Sequence, residues 1–426
     1  MFFFIYEVFL HFLAILTFPV LLYRFFKQGR YGKSLLLRSG IAYPQIEKGE
    51  QFCIWVHAVS VGETKAVASL VKLIRNTHPD ALIVLSSITE TGYAEGQKSI
   101  PQANHHVYLP FDFSYIVGPI VRRAKPDLVL ICETDFWYNF QRIAKSCGAY
   151  IALVNGKISE RSLERHLTLP WVSQHLFRHI DLFCLQSDLQ KMRFERLKIS
   201  SKKLFATGNL KLDDTYPVMK DSAKREWKQS LGIEEGDKVL VIGSTHYPEE
   251  KIICEQVKKV WNRYPHLKVI LAPRHPNRCL EVEEVFKRLD ISYVLYSKIK
   301  ERKLEEKMIV IDSIGLLRHC YQIADVAIVA GSYTKKVGGH NILEPAWYGV
   351  PVLCGPHMHS QLDFLELFRE YGAGIQTQED GISENLLELF SNEEKRHLMG
   401  QGGLKAIQNA KGATLRTWTI LSKYCS

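Results

Sequence analysis

Three charged side chains stand where short apolar runs give out. Glu63 follows the run FCIWVHAV from Phe52, Glu133 follows LVLIC from Leu128, and Lys211 follows LFATGN from Leu204. A general base requires a carboxylate on a rigid element facing a substrate hydroxyl. A second acid and an ammonium group can support charge that develops at a reacting centre. Each residue also has a plainer reading. The macrodipole favours an acid in any first helical turn, and an isolated lysine is most often a solvated surface charge. Their convergence on strand ends favours chemistry.

A second set lies further along the chain. GSTHYPEE from Gly243 and APRHPNR from Ala272 supply Ser244, Thr245, Arg274 and His275 as donors to a phosphate or carboxylate. Arginine can make such contacts bidentately. The segment AGSYTKKVGGHNILEPAWYGVPVLCGP, 330–356, contains Gly338-Gly339, a pair that lets backbone N–H groups approach a ligand. A helix is expected over 342–348, its N-terminus suited to an anion. Asn341 and Glu344 fall one turn apart there, with Glu344 placed to accept from the sugar hydroxyls of a nucleotide.

These residues need a scaffold, and the sequence repeats one theme that supplies it. A short run rich in Val, Ile and Leu is followed by a turn and then a helical stretch. The runs begin at Phe52, Ala81, His105, Asp127, Ala149 and Asp181, and again at Lys238, Leu267, Ile291, Met308, Val326 and Val350. Continuous apolar runs mark parallel strands covered on both faces, with helices as crossovers. The expected fold class is α/β, two doubly wound Rossmann-like domains in tandem, with ligands at the carboxyl ends of the strands in a cleft between them. The divisions are 1–35 for an N-terminal anchor and basic collar, 36–212 for the first domain, 213–226 for a linker and 227–426 for the second domain. The last helix is expected to pack back on the first domain. A chain of 426 residues suits two cores.

A net charge of +10 points to an anionic partner without choosing one, and no nucleic-acid-binding motif is present. Nine cysteines lack any Cys-x-x-Cys pair, which suits reduced thiols rather than disulfides. His105-His106 and His357-Met-His359 have no further ligands at zinc spacing, so no metal and no cofactor is expected. Residues 1–23 are almost wholly apolar, broken by Glu7 and His11, and Arg24, Lys27, Arg30, Lys33 and Arg38 follow. This reads as a membrane anchor, either spanning or seated in one leaflet, with the main body on the cytoplasmic side. A cleaved signal would want its positive charge first and a small-residue site afterwards.

HAVSVGE, ICETDFW, GNLK (208–211), APRHP (272–276) and GGHNILEP (338–345) together resemble the 3-deoxy-D-manno-octulosonate (Kdo) transferases of lipopolysaccharide assembly, which have the GT-B fold. The resemblance implies transfer of Kdo from CMP-Kdo to a phosphorylated tetraacyl lipid A precursor at the inner membrane, with anionic lipids around it. It implies that Glu63 is the base and that Glu133 and Lys211 support the transition state. CMP contacts are implied at Pro273 and Arg274, at Ile314, Gly315 and Leu316, and at Asn341, Ile342, Leu343 and Glu344. The chain departs from the family pattern at Leu316, commonly Glu, at Asp135, commonly Glu, and at Tyr138, commonly Pro. Family members also differ in how many Kdo units they add. Two other readings are a UDP-sugar 2-epimerase-like enzyme, which would need no anchor, and a non-catalytic membrane-attached lipid- or nucleotide-binding protein, in which Glu63 would be dispensable.

Overall fold

The computed structural model describes residues 1–28, 32–213, 215–301 and 306–424. Arg30 of the basic collar, and the side chains of Arg24, Lys27 and Lys33, lie outside the described residues. The chain divides into two compact units. Met1–Thr215 with Ala410–Ser426 forms the first, and Tyr216–Asn409 forms the second.

Every apolar run named above is a strand. In the first unit these are β1 (Cys53–His57), β2 (Leu82–Ser87), β3 (His105–Tyr108), β4 (Leu128–Cys132), β5 (Tyr150–Gly156), β6 (Leu182–Leu185) and β7 (Leu204–Ala206). They make one parallel sheet in the order β3-β2-β1-β4-β5-β6-β7. Along β1, Cys53 and Trp55 enter the core on one face while Ile54 and Val56 enter the core on the other. Both faces are dry, so the strand is apolar up to His57, whose buried ring is paired with Ser86 Oγ and Asp135. The spatial order departs from chain order between β1 and β4.

The second unit repeats the plan with β8 (Val239–Thr245), β9 (Lys268–Pro273), β10 (Tyr293–Leu295), β11 (Met308–Val310), β12 (Val326–Val329), β13 (Val352–Cys354) and β14 (Gly374–Gln376). The order is β10-β11-β9-β8-β12-β13-β14, and the switch falls between β8 and β12. The edge strand β14 has no apolar run to announce it.

Within the segment expected as a linker, 213–226, a helix begins at Asp221 and runs to Ser230. The helix Ala413–Leu421 belongs to the first unit, where Ala413, Trp418 and Leu421 join the core beside Ile54 and Val56. Asp213 accepts from the backbone N–H groups of Gly412 and Thr414, covering donors that a helix start leaves without partners.

The N-terminal apolar stretch is a helix, Phe2–Gln28, with Pro19 inside it. Its first two turns dock on the first unit. Phe2 packs edge-on against Tyr138 and Trp171, at centroid distances of 4.8 and 5.0 Å. Tyr6 donates to Asp112 at 2.8 Å. Glu7, the acid that interrupts the apolar run, accepts from Ser114 N–H at 2.8 Å and from Asn139 Nδ2 at 2.7 Å. Asp112 also accepts from the N–H groups of Asn139 and Phe140, which caps the helix Tyr138–Ser146 from outside its own chain segment. Tyr138, where the family commonly has proline, is thus part of the seat for this helix. Beyond it, Phe4, Phe12, Ile15 and Leu16 are exposed. Among the described residues no helix is long and apolar enough to cross a membrane. Glu7→Leu makes the stretch more apolar but leaves two donors without their acceptor. We expect it to destabilise the first unit by about 1–3 kcal/mol, read as a lower urea midpoint by circular dichroism.

Candidate active site

A switch point separates the loops leaving two neighbouring strands, and the groups that follow β1 and β4 stand on either side of the first one. After β1 the chain turns at Ser60, whose φ and ψ of -116° and 165° are extended, and enters the helix Val61–Thr77. The Ser60 hydroxyl accepts from Glu63 N–H at 3.4 Å. In return the Glu63 carboxylate accepts from Val59 N–H at 2.7 Å and from the Ser60 hydroxyl at 3.2 Å. This is a reciprocal cap, and it holds the carboxylate at the helix start. Burial raises the Glu63 pKa, the Val59 and Ser60 hydrogen bonds oppose the rise, and the charges of Glu133 and Asp135 add to it. A carboxylate of raised pKa, fixed and half-buried, has the properties of a general base.

Glu133 leaves β4 in a left-handed conformation, φ 60°, and is only 7% exposed. One carboxylate oxygen meets Lys211 Nζ at 2.8 Å and the other meets Lys157 Nζ at 2.9 Å. Burial opposes its ionisation, but the two ammonium groups outweigh burial and hold its pKa below the ordinary value. Lys211 mirrors this: burial lowers its pKa, and the Glu133 charge more than restores it. Lys157 was not singled out in the sequence, although it follows an apolar run just as Lys211 does.

Buried amides position the Lys211 loop. Asn155, also left-handed at φ 53°, accepts from Leu210 N–H at 2.9 Å through its side-chain oxygen. Gln186 donates to the Asn155 carbonyl at 3.0 Å and accepts from Asn209 at 3.1 Å, and Asn209 accepts from Lys211 N–H at 3.0 Å. Non-glycine residues in this region of backbone space cost of order 1–3 kcal/mol and persist where surroundings over-determine them. Asp135, the other departure near this site, lies 2.9 Å from His57 Nε2 and accepts from Trp137 Nε1, tying the loop after β4 back to β1. The structure therefore brings Glu63, Glu133 and Lys211 together and adds Lys157.

In the second unit Pro273 ends β9 in the core and Arg274 is exposed beyond it, its N–H donating to Thr245 O at 3.1 Å. Ile314 is exposed and Gly315 has φ 94°. The helix expected over 342–348 spans only Leu343–Ala346, followed by three-residue hydrogen bonds up to Gly349. Pro345 removes one backbone donor, and Gly349 at φ 71° ends the segment. Ile342 and Leu343 are 0% and 3% exposed, so their side chains serve the core and only their backbone groups are available to a ligand. Asn341 accepts from Leu343 N–H at 3.1 Å. Glu344 pairs with Arg318 at 3.4 Å, and the Arg318 guanidinium lies 3.8 Å over the Tyr216 ring.

Residues 33–214 match the family model described as 3-Deoxy-D-manno-octulosonic-acid transferase (kdotransferase), and residues 223–406 match Glycosyl transferases group 1. The chain is 33% identical to the 3-deoxy-D-manno-octulosonic acid transferase of Chlamydophila psittaci, over 99% of this chain and 96% of that one. With the enzyme of the same name from Haemophilus influenzae it shares 28% identity, over 93% of each chain. Among solved structures, a glycosyltransferase from Rickettsia africae superposes with a TM-score of 0.63 at 13% identity, covering 88% of this chain and 98% of that one. A UDP-GlcNAc 2-epimerase from Neisseria meningitidis superposes with 0.59 at 15% identity, covering 87% and 98%. These two likenesses show the fold, a GT-B pair of Rossmann-like domains, and nothing of the reaction.

The Glu133 clamp has a pH signature. A depressed carboxyl pKa contributes stability above the ordinary carboxylate value and loses it as pH falls through the folded value. Lys157→Met leaves Glu133 with one counter-charge and raises its pKa. Acid unfolding of the first unit is therefore expected to begin up to about one pH unit higher, a modest shift because Lys157 is partly exposed. Circular dichroism along an acid titration measures it.

Proposed function

Because the chain belongs to the 3-deoxy-D-manno-octulosonic acid (Kdo) transferase family, we propose that it transfers Kdo from CMP-Kdo to a tetraacyl lipid A precursor, lipid IVA, with inversion at the anomeric carbon. The observation that carries this reading is the Glu63 carboxylate, held by its cap at the β1/β4 switch point with a raised pKa. Glu63 takes the proton from the acceptor's primary hydroxyl as its oxygen attacks the donor. The anomeric carbon becomes oxocarbenium-like while the C–O bond to phosphate breaks, and the electron pair stays with CMP. Charge then builds among negative groups, and Lys211 and Lys157 are the cations beside Glu133 that offset it. Glu133 keeps both lysines in place and charged.

The acceptor is an anionic lipid, and two features suit it to this protein. The docked N-terminal helix leaves an apolar face bare, and the chain carries a net charge of +10. We propose that this face seats in the cytoplasmic leaflet of the inner membrane, drawn there by anionic lipids. Co-sedimentation with anionic vesicles, and much weaker co-sedimentation with zwitterionic ones, checks the proposal. Equal recovery in both would reject it.

The enzymatic test uses the full chain, CMP-Kdo and tetraacyl lipid A precursor, with mass spectrometry of the product. We expect gains of whole Kdo units, their number also being read from the mass. Glu63→Gln preserves the hydrogen-bonded cap and is expected to lower kcat by about 10²–10⁴. Because the Glu63 pKa is raised, activity should fall as pH drops through a value above the ordinary carboxylate pKa of about 4.3. Full activity in Glu63→Gln, or no Kdo added by the unaltered chain, would sink the proposal.

A further inference from the structure

The second sheet has its own switch point, between β8 and β12, and one buried carboxylate joins the two loops there. Glu249, 0% exposed, accepts from His246 N–H at 2.9 Å, Gly331 N–H at 2.8 Å and Tyr333 N–H at 2.8 Å. Gly331, φ 72°, packs so closely that a Cβ there would lie 2.6 Å from the His340 ring. The bracing brings two imidazoles together. His246 Nε2 stands 2.8 Å from His340 Nε2, with the rings nearly coplanar at a 15° interplanar angle and their centroids 5.0 Å apart. At that distance one nitrogen donates and the other accepts, so the pair shares a single proton.

The charges facing this pair are mostly positive. Arg274, His275 and Arg278 come from the segment after β9 and act on His246; Arg274 and His275 also act on His340. From the pair's own side comes Glu250, whose charge is already taken by Arg278 at 2.8 Å. Burial, followed by these basic neighbours, keeps the His246 pKa below the usual imidazole range; burial, then His246 and Arg274, lowers that of His340 to about 4. The second proton is therefore withheld near neutral pH. An anionic oxygen placed against the pair and Arg274 would reverse the balance, because the two nitrogens would then part and each donate an N–H to that oxygen.

We propose that His246 and His340 are the proton-coupled end of the donor phosphate site: a phosphoryl oxygen binds at their Nε2 edge, and the pair takes up a second proton from solvent. The inference rests on the reading that the chain uses CMP-Kdo. It gives the pair a task during turnover. When the anomeric C–O bond breaks, its electron pair stays on the phosphate, and a diester monoanion becomes a monoester dianion. Uptake of one proton by the pair matches that added charge without any covalent bond to histidine.

The test is isothermal titration of the full chain with CMP near pH 7, in phosphate-free buffers of different ionisation enthalpy. CMP binding should take up about half to one proton per site, cytidine should take up none, and CMP affinity should fall about tenfold between pH 6.5 and 8.5. In His246→Gln and His340→Gln, with unchanged circular dichroism, the uptake and the pH dependence should both collapse. Binding of CMP to the unaltered chain without proton uptake overturns the inference and leaves the donor reading standing. Uptake that persists in both variants places the proton on the phosphate itself and also overturns it. No CMP binding at all overturns the inference and the donor reading together.

Discussion

A parallel sheet buried on both faces leaves its strands little room for polar groups that lack a partner, and those present, such as His57 and Asn155, lie near the strands' carboxyl ends. Every strand position in β1, β4 and β12 is buried, and alternate side chains serve separate cores. Groups that must meet water or a ligand are pushed to the carboxyl ends, and the loops part most where the strand order reverses. Glu63 and Glu133 follow β1 and β4, while His246 and His340 follow β8 and β12. The same constraint thus sets the place of the polar groups in both units.

That constraint also decides what could be read from the chain. Every strand but β14 was legible because its apolar run is continuous, and Glu63, Glu133 and Lys211 were legible because each follows such a run. The pairing of Lys157 with Glu133 was not, since it depends on residues brought together across the sheet. The amide chain through Asn155, Gln186 and Asn209 was hidden for the same reason. Ser60-Val61-Gly62-Glu63 carried a capping signature that the macrodipole reading passed over. The helix expected over 342–348 is shorter than its apolar pattern, spanning Leu343–Ala346, because Pro345 removes a donor and Gly349 ends the run. Glu7 looked like an interruption in a membrane segment and is instead a hydrogen-bonded foot on the first unit.

Several polar groups here serve two roles at once. The hydrogen bonds that make Glu63 a helix cap also fix the orientation a base would need. The ion pairs that stabilise Glu133 in a buried site also keep two lysines charged near it. The likeness to an epimerase shows how little the scaffold itself commits. Two sheets with open switch points accept many chemistries, and the selection lies in the few residues that close each strand.

The first unit is closed by residues from the far end of the chain. Ala413, Trp418 and Leu421 complete a core whose other members include residues of β1, β2, β4, β5 and β6 and of the helix Val61–Thr77. Synthesis proceeds at about 5–20 residues per second, so the first sheet emerges tens of seconds before its last core residues are made. Through that interval the part of this core that Ala413, Trp418 and Leu421 fill stays open while Tyr216–Asn409 is translated. The second unit, whose sequence is continuous, can finish folding first. The unit that begins first is thus the one whose core can be closed only last.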